Sequence, residues 1–300
     1  MRIGLLGVGR MGLPILRRLV AAGHEVVAGD PDAARLVLAR AVGAESGDGA
    51  GVAASVDVLI TVLPGPIELE EAMLSGGILA ALTPGTQWLD LTTTDPRVAA
   101  RLADAAASRG VDLVGAAIAG GVEDAEAGGL GFFVGGSPSA VGRARPVLEV
   151  LGDPQRIQVV GPHPGDGPAA KLIANLLWFG QAIAVTEALL LGRSLGFAPD
   201  RLRGILEHSA GASAFLADHA GALIEGDSLA TFGIDRVVEE LDTLTELAAE
   251  ERLPFELSSL VARLHRDALE RFGPVDGELL AARLLEVRAG RPLSDPGARS

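Results

Sequence analysis

A chain of 300 residues with 39 acidic against 25 basic side chains, net charge −14, has no basic stripe for nucleic acid or an anionic membrane surface. It lacks cysteine and tyrosine, which removes disulfides, thiolate catalysis, cysteine-built zinc sites and any phenolic acid, and leaves one lysine, five histidines and the carboxylates as proton carriers. With 48% hydrophobic residues, no uninterrupted apolar run of the ~18 residues that a span needs and no leader pattern, a globular cytoplasmic protein acting on a small molecule is expected.

The opening MRIGLLG is a short apolar run that breaks on glycine, and GVGRMGLPILRRLVAAGHEVVAGD continues it as turn, helix and second strand. Gly7, Gly9 and Gly12 form G-x-G-x-x-G. The first glycine permits a tight turn, the second lets a pyrophosphate approach the backbone, and the third lets helix and strand pack closely. The helix N-terminus then offers amide donors and a positive dipole end to phosphates. Forty glycines produce such spacings by accident, but this one follows the first strand and opens an amphipathic helix (Leu13, Leu16, Leu19, Val20). Asp30 ends the second strand, where a carboxylate accepts from the adenosine ribose hydroxyls. Gly7, Gly9, Arg10, Met11, Gly12 and Asp30 are therefore expected to hold a dinucleotide. Asp30 would repel a 2′-phosphate, which favours NAD; Arg35, one helical turn along, keeps NADP open.

Residues 31–42 read as a helix, 57–64 as a buried parallel strand, 66–73 as a short helix and 85–96 as a strand with its loop. Residues 95–109 read as a helix with an aspartate cap and proline at its first position. VDLVGAAIAGG and LGFFVGG are two more strands around a glycine-rich connection, 138–151 is helical, and 156–161 is the last strand. This alternation marks a doubly wound sheet in a domain of residues 1–164. After it strands stop. Residues 168–195 open on Pro168, contain no internal proline and read as one helix of about 28 residues, roughly 42 Å long. That helix is the spine of an all-α domain, residues 165–300, with further helices at 199–209, 213–221, 231–252, 254–271 and 276–289 and a tail from 290 that frays.

Lys171, on the spine, is the only lysine against 24 arginines. Arginine stays protonated at any working pH, whereas a partly buried lysine can lose and regain a proton. Asn175 lies four residues on and shares its helix face. The plain alternatives are a leftover surface lysine and a surface amide.

Taken together, GVGRMGLP (7–14), TVLP (61–64), DLTTTDP (90–96), GAAIAGGVEDAEAGGLGFFVGG (115–136) and GDGPAAKLIAN (165–175) resemble the β-hydroxyacid dehydrogenase family, over residues 1 to about 287. The resemblance implies a Rossmann domain followed by an all-α domain on a long interdomain helix. It also implies NAD or NADP, hydride transfer at a hydroxyl or carbonyl carbon in the interdomain cleft, and dimers or tetramers formed through the helical domain. By it, Lys171 matches the catalytic lysine and Asn175 the asparagine that holds the substrate. Thr93 matches the threonine near the nicotinamide ribose, and Val62, Leu63 and Pro64 the loop over the cofactor. Gly120 and Gly121 match the glycines of a substrate-binding S-G-G, but the serine that binds the acid's carboxylate is Ala119. In the family's F-x-x-x-x-x-x-K-D-L, Phe232 is followed by Glu239, Glu240 and Leu241, so Glu239 replaces a lysine beside cofactor or substrate.

Trp178, three residues past Asn175, either lines the substrate pocket or belongs to the core. No HxxxH or carboxylate cluster points to a metal. The expected activity is hydride transfer between NAD(H) and a small hydroxyacid or aldehyde-like substrate, with Lys171 as general acid and base. Two alternatives stay open. One is C=N reduction like that of imine reductases, which Ala119 fits and Lys171 opposes; the other is a non-catalytic NAD-binding scaffold. Ala119 further implies a substrate that lacks the carboxylate or holds it by the amides of Gly120 and Gly121 alone.

Overall fold

The computed structural model describes residues 1–294; the last part of the expected tail, 295–300, lies outside the described residues. The chain divides into two compact units, residues 1–171 and 172 onward. The division falls inside the spine helix because the first turns of that helix pack onto the sheet.

The first unit runs β1 (Arg2–Leu6), α1 (Gly12–Ala21), β2 (Glu25–Gly29), α2 (Ala33–Ala41), β3 (Glu45–Ser46), α3 (Gly49–Ala53), β4 (Val58–Thr61) and α4 (Pro66–Glu70). A π-helical segment (Glu71–Ser75), α5 (Ile78–Ala81), β5 (Gln87–Asp90) and α6 (Pro96–Ala107) follow. It closes with β6 (Asp112–Ala119), α7 (Val122–Ala127), β7 (Leu130–Gly135), α8 (Pro138–Leu151) and β8 (Gly152–Gly161). The eight strands form one sheet in the order β3-β2-β1-β4-β5-β6-β7-β8. All neighbours are parallel except β6 and β7. That pair is antiparallel because residues 120–129 and the six-residue α7 are too short for the crossover that a parallel pair needs.

Both faces of the central strands are covered, so those strands are mostly apolar, whereas the edge strands β3 and β8 are largely exposed. Alternate residues serve opposite layers. Ile3, Leu5, Val58, Ile60, Leu89, Val114 and Ala116 meet α1 and α8 through Ile15, Leu16, Leu19, Val147 and Leu148. Leu6, Leu59, Trp88 and Leu113 meet α6 through Val98, Leu102 and Ala106. The sequence does not announce β3, α3 or α5, each five residues or fewer, and the last strand starts at Gly152 rather than 156.

The second unit is helical: the bulk of α9 (Asp166–Ser194), α10 (Pro199–Leu206), α11 (Ala214–Asp218), α12 (Ala220–Glu225), α13 (Ile234–Glu250), α14 (Glu256–Phe272) and α15 (Leu280–Ala289). The expected helix at 213–221 is interrupted at His219, where the backbone leaves helical geometry. The last helix starts at Leu280 rather than 276, because Asp276 bridges to Gly233 and Gly277 takes φ +152°. At 29 residues α9 is the one described helix long and apolar enough to cross a membrane. Its buried face, however, carries Phe179 and Ile183 into one core cluster and Ala182 and Leu189 into another.

Candidate active site

The carboxyl ends of β1, β4, β5 and β6 lie along one edge of the sheet, where open parallel sheets bind ligands. At the first, Gly7 has φ +94°, and a side chain on Gly12 would drive into the Gly7 carbonyl. A Cβ on Gly9, in contrast, meets nothing within 4 Å. No protein contact requires glycine there, and the open space fits a cofactor pyrophosphate against the backbone. Asp30 accepts the Val8 amide at Oδ2 (2.7 Å) and the Asp32 amide at Oδ1 (2.9 Å), so this carboxylate ties down the glycine turn. Met11 precedes α1 and packs on the sheet core, whereas Arg10 is exposed.

At the second and third strand ends the structure reveals a buried polar network. Trp88 Nε1 donates to Thr61 Oγ1 (2.9 Å), which donates to Asp90 Oδ1 (2.7 Å), and that oxygen also accepts the Thr92 amide (3.1 Å). Thr92 Oγ1 in turn accepts the Leu63 amide (3.1 Å). Burial pushes the Asp90 carboxyl up to about 6, against the hydrogen bonds from Thr61 and Thr92 that pull it down. The network joins the Val62–Leu63–Pro64 loop to the Thr92–Thr93–Thr94 loop from behind. Thr93 is half-buried between Thr92 and Thr94, both almost wholly inside. Asp90 was not singled out from sequence; an aspartate closing an apolar strand ahead of three threonines was the available clue.

At the fourth end, β6 delivers Ala119, Gly120 and Gly121. Gly121 donates its amide to Asp124 Oδ2 (3.0 Å), and Gly120, at φ +127°, has that carboxylate directly over it: a Cβ there would lie 2.6 Å from Asp124 Oδ2. Arg156 Nη1 stands 3.5 Å from Asp124 Oδ1. Sequence reasoning missed Asp124, although an acid three residues after Gly121 at a helix start is a capping-box pattern.

Three backbones meet at the start of α9. A side chain on Gly115 would strike the Pro164 carbonyl, one on Gly135 the His163 carbonyl, and one on Gly167 the carbonyls of Phe133 and Gly115. One turn later Lys171 is half-buried, with no hydrogen bond or ion pair among the described residues. Asn175, a further turn on, donates Nδ2 to Glu240 Oε2 at 2.7 Å. Glu239 instead pairs with Arg236 on its own helix, at 2.9 Å. Trp178 lies edge-on to Phe215 (5.0 Å), Phe179 (5.3 Å) and His219 (5.4 Å), at the junction of the two core clusters of the helical unit. Among the described residues no three His, Cys, Asp or Glu side chains converge as metal ligands.

Residues 2–161 match the family model described as the NAD binding domain of 6-phosphogluconate dehydrogenase, and 165–285 that described as NAD-binding of NADP-dependent 3-hydroxyisobutyrate dehydrogenase. The 2-(hydroxymethyl)glutarate dehydrogenase of Eubacterium barkeri is 32% identical over 266 residues, 88% of this chain and 87% of its own. The chain belongs to the β-hydroxyacid dehydrogenase family. A second member of this family, the 3-hydroxyisobutyrate dehydrogenase of Pseudomonas aeruginosa, is 36% identical over 211 residues, 70% of each chain. The solved structure of the Mycobacterium tuberculosis 3-hydroxyisobutyrate dehydrogenase, described with L-serine, is similar at a TM-score of 0.84 and 28% identity, covering 94% of this chain and 98% of that one.

As a β-hydroxyacid dehydrogenase the chain is a nicotinamide-dependent oxidoreductase, with NAD or NADP as cofactor. Its glycine turn suits that cofactor: the space at Gly9 is open, and the helix start behind it offers amides to phosphate.

Proposed function

We propose that this dehydrogenase transfers a hydride between NAD(H) and the hydroxyl or carbonyl carbon of a small hydroxyacid or aldehyde-like substrate, with Lys171 as general acid and base. Lys171 itself carries the proposal. It is the only lysine in the chain, half-buried and unpaired among the described residues, and it stands one helical turn before an asparagine whose amide is oriented by a buried glutamate.

The dinucleotide supplies the hydride in reduction and takes it in oxidation. Gly7, Gly9, Arg10, Met11, Gly12 and Asp30 hold its adenosine and pyrophosphate part, and Val62, Leu63, Pro64 and Thr93 its nicotinamide part. In reduction Lys171 Nζ gives its proton to the carbonyl oxygen. Asn175 steadies that oxygen with the Nδ2 hydrogen not donated to Glu240. Oxidation reverses both roles. The turn Ala119–Gly120–Gly121 faces the substrate, and the names of the relatives, dehydrogenases of 2-(hydroxymethyl)glutarate and 3-hydroxyisobutyrate, support hydride transfer at a hydroxyl-bearing carbon.

Lys171→Arg keeps the charge but not the exchangeable proton, so kcat should fall roughly 10²- to 10⁴-fold. NADH titration by fluorescence should show binding retained. Turnover equal to the parent's on the best carbonyl of a panel refutes the role of Lys171. Ala119 favours a second reading, reduction of C=N bonds, and the same panel extended to cyclic imines separates the two. A homodimer or homotetramer assembled through the helical domain completes the proposal. Ile173, Leu177 and Leu191 on α9 and Leu195 just past its end form one exposed apolar stripe, each more than half exposed, and patches of this kind mark association surfaces.

A further inference from the structure

We infer that Asp124 is a specificity-determining residue that excludes a substrate carboxylate from the Ala119–Gly121 turn, so that the preferred substrate is an uncharged primary alcohol or aldehyde. The inference rests on the proposed reaction, in which this turn faces the substrate. Its topological basis is independent: the turn leaves the carboxyl end of β6, on the same sheet edge as the glycine turn after β1.

A carboxylate needs donors and tolerates no second anion beside it. The turn meets both conditions poorly. The side chain of Ala119 has no hydroxyl to donate. The Gly121 amide is already committed to Asp124 Oδ2 at 3.0 Å. The same carboxylate lies over Gly120, within 2.6 Å of where a Cβ would stand, so an anion held at this turn would lie beside a fixed negative charge. Arg156, 3.5 Å from Oδ1, offsets part of this charge, but it donates at 2.6 Å to the Gly129 carbonyl and sits on the Oδ1 side, away from the Gly121 amide. A net charge of −14 over the whole chain adds a long-range field that repels small anions. An uncharged hydroxyl or carbonyl compound meets none of these obstacles.

The test compares 3-hydroxyisobutyrate with its methyl ester, a pair that differs by the negative charge and one added methyl group. Both are assayed with NAD for kcat and KM, and both are titrated by calorimetry into the NAD-loaded protein. In the parent the ester should have the higher kcat/KM and the tighter binding, by roughly tenfold or more. Asp124→Asn, which keeps an oxygen to accept the Gly121 amide, should shrink the ester-to-acid ratio about tenfold, mainly through KM for the acid. Asp124→Asn with Ala119→Ser should shrink it further. Thermal melting checks that each variant folds. A parent that binds and oxidises the acid as well as the ester overturns the inference, as does a ratio unmoved by Asp124→Asn. If neither compound turns over, the proposed reaction fails on these substrates, and the calorimetric ratio still decides the exclusion.

Discussion

Asn175 Nδ2 lies 2.7 Å from Glu240 Oε2, and Glu240 is only 7% exposed. A carboxylate accepts and does not donate, so the partner decides which end of the Asn175 amide faces it. Glu240→Gln replaces a charged acceptor by a neutral one, a loss of about 1 kcal/mol. The expected result is roughly a fivefold fall in kcat with NADH affinity unchanged. Steady-state kinetics beside an NADH titration reads both, and a change confined to NADH binding would place the pair elsewhere in the chemistry.

Asp30, proposed above to recognise the ribose, also anchors the Val8 amide. NADH should therefore exceed NADPH in kcat/KM. Asp30→Asn removes the charge that opposes a 2′-phosphate and leaves one side-chain acceptor for two amides, so the NADH-to-NADPH ratio should drop at least tenfold while both KM values rise. A parent ratio at or below one contradicts the assignment.

Two buried groups give the units opposite responses to acid. His265, wholly buried against Phe179, donates Nδ1–H to the Val261 carbonyl, and burial lowers its pKa from 6.5 to about 4. The unfolded chain therefore takes up this proton first, and the helical unit loses about 3 kcal/mol as pH falls from 6.5 to 4. Asp90 has the reverse sign. Its folded pKa of about 6 exceeds the unfolded 3.8, so the first unit gains about 3 kcal/mol as pH falls through that window and loses it as pH rises. Scanning calorimetry between pH 7 and 4 should show this divergence, and Asp90→Asn should abolish the rise.

Trp178 makes its ring contacts with Phe179, Phe215 and His219. Trp178→Ala should lower stability by about 3 kcal/mol, as for a large aromatic removed from a core. Denaturant unfolding measures it. A shift in substrate KM without loss of stability would restore the pocket-lining alternative.

Most of the alternation of strands and helices was legible through residue 161 because strands such as β1 and β4 are short apolar runs and several helices begin on a capping side chain, as at Asp95. The spine was legible for a similar reason: expected at 168–195, it runs from Asp166 to Ser194. The helical unit was harder to read. Its short elements are ended by tertiary contacts, such as the Gly233–Asp276 bridge, that leave no local mark. Within the candidate site, Gly7, Gly12 and Asp30 declare themselves by their spacing together with the strand before them and the amphipathic helix that follows. Asp90 and Asp124 do not, because their importance comes from partners 29 residues away in one case and from a positive φ at Gly120 in the other.

The mutual approach of Gly115, Gly135 and Gly167 has a consequence for the tolerance of this enzyme to mutation. These glycines hold the first turn of α9 against β6 and β7, and thereby set where Lys171 emerges, though none of them can exchange a proton. In a saturation library selected for turnover, alanine at any of the three should be depleted about as strongly as substitutions at Lys171. The two groups would part only under a selection for folded protein, which spares the lysine variants and removes the glycine ones.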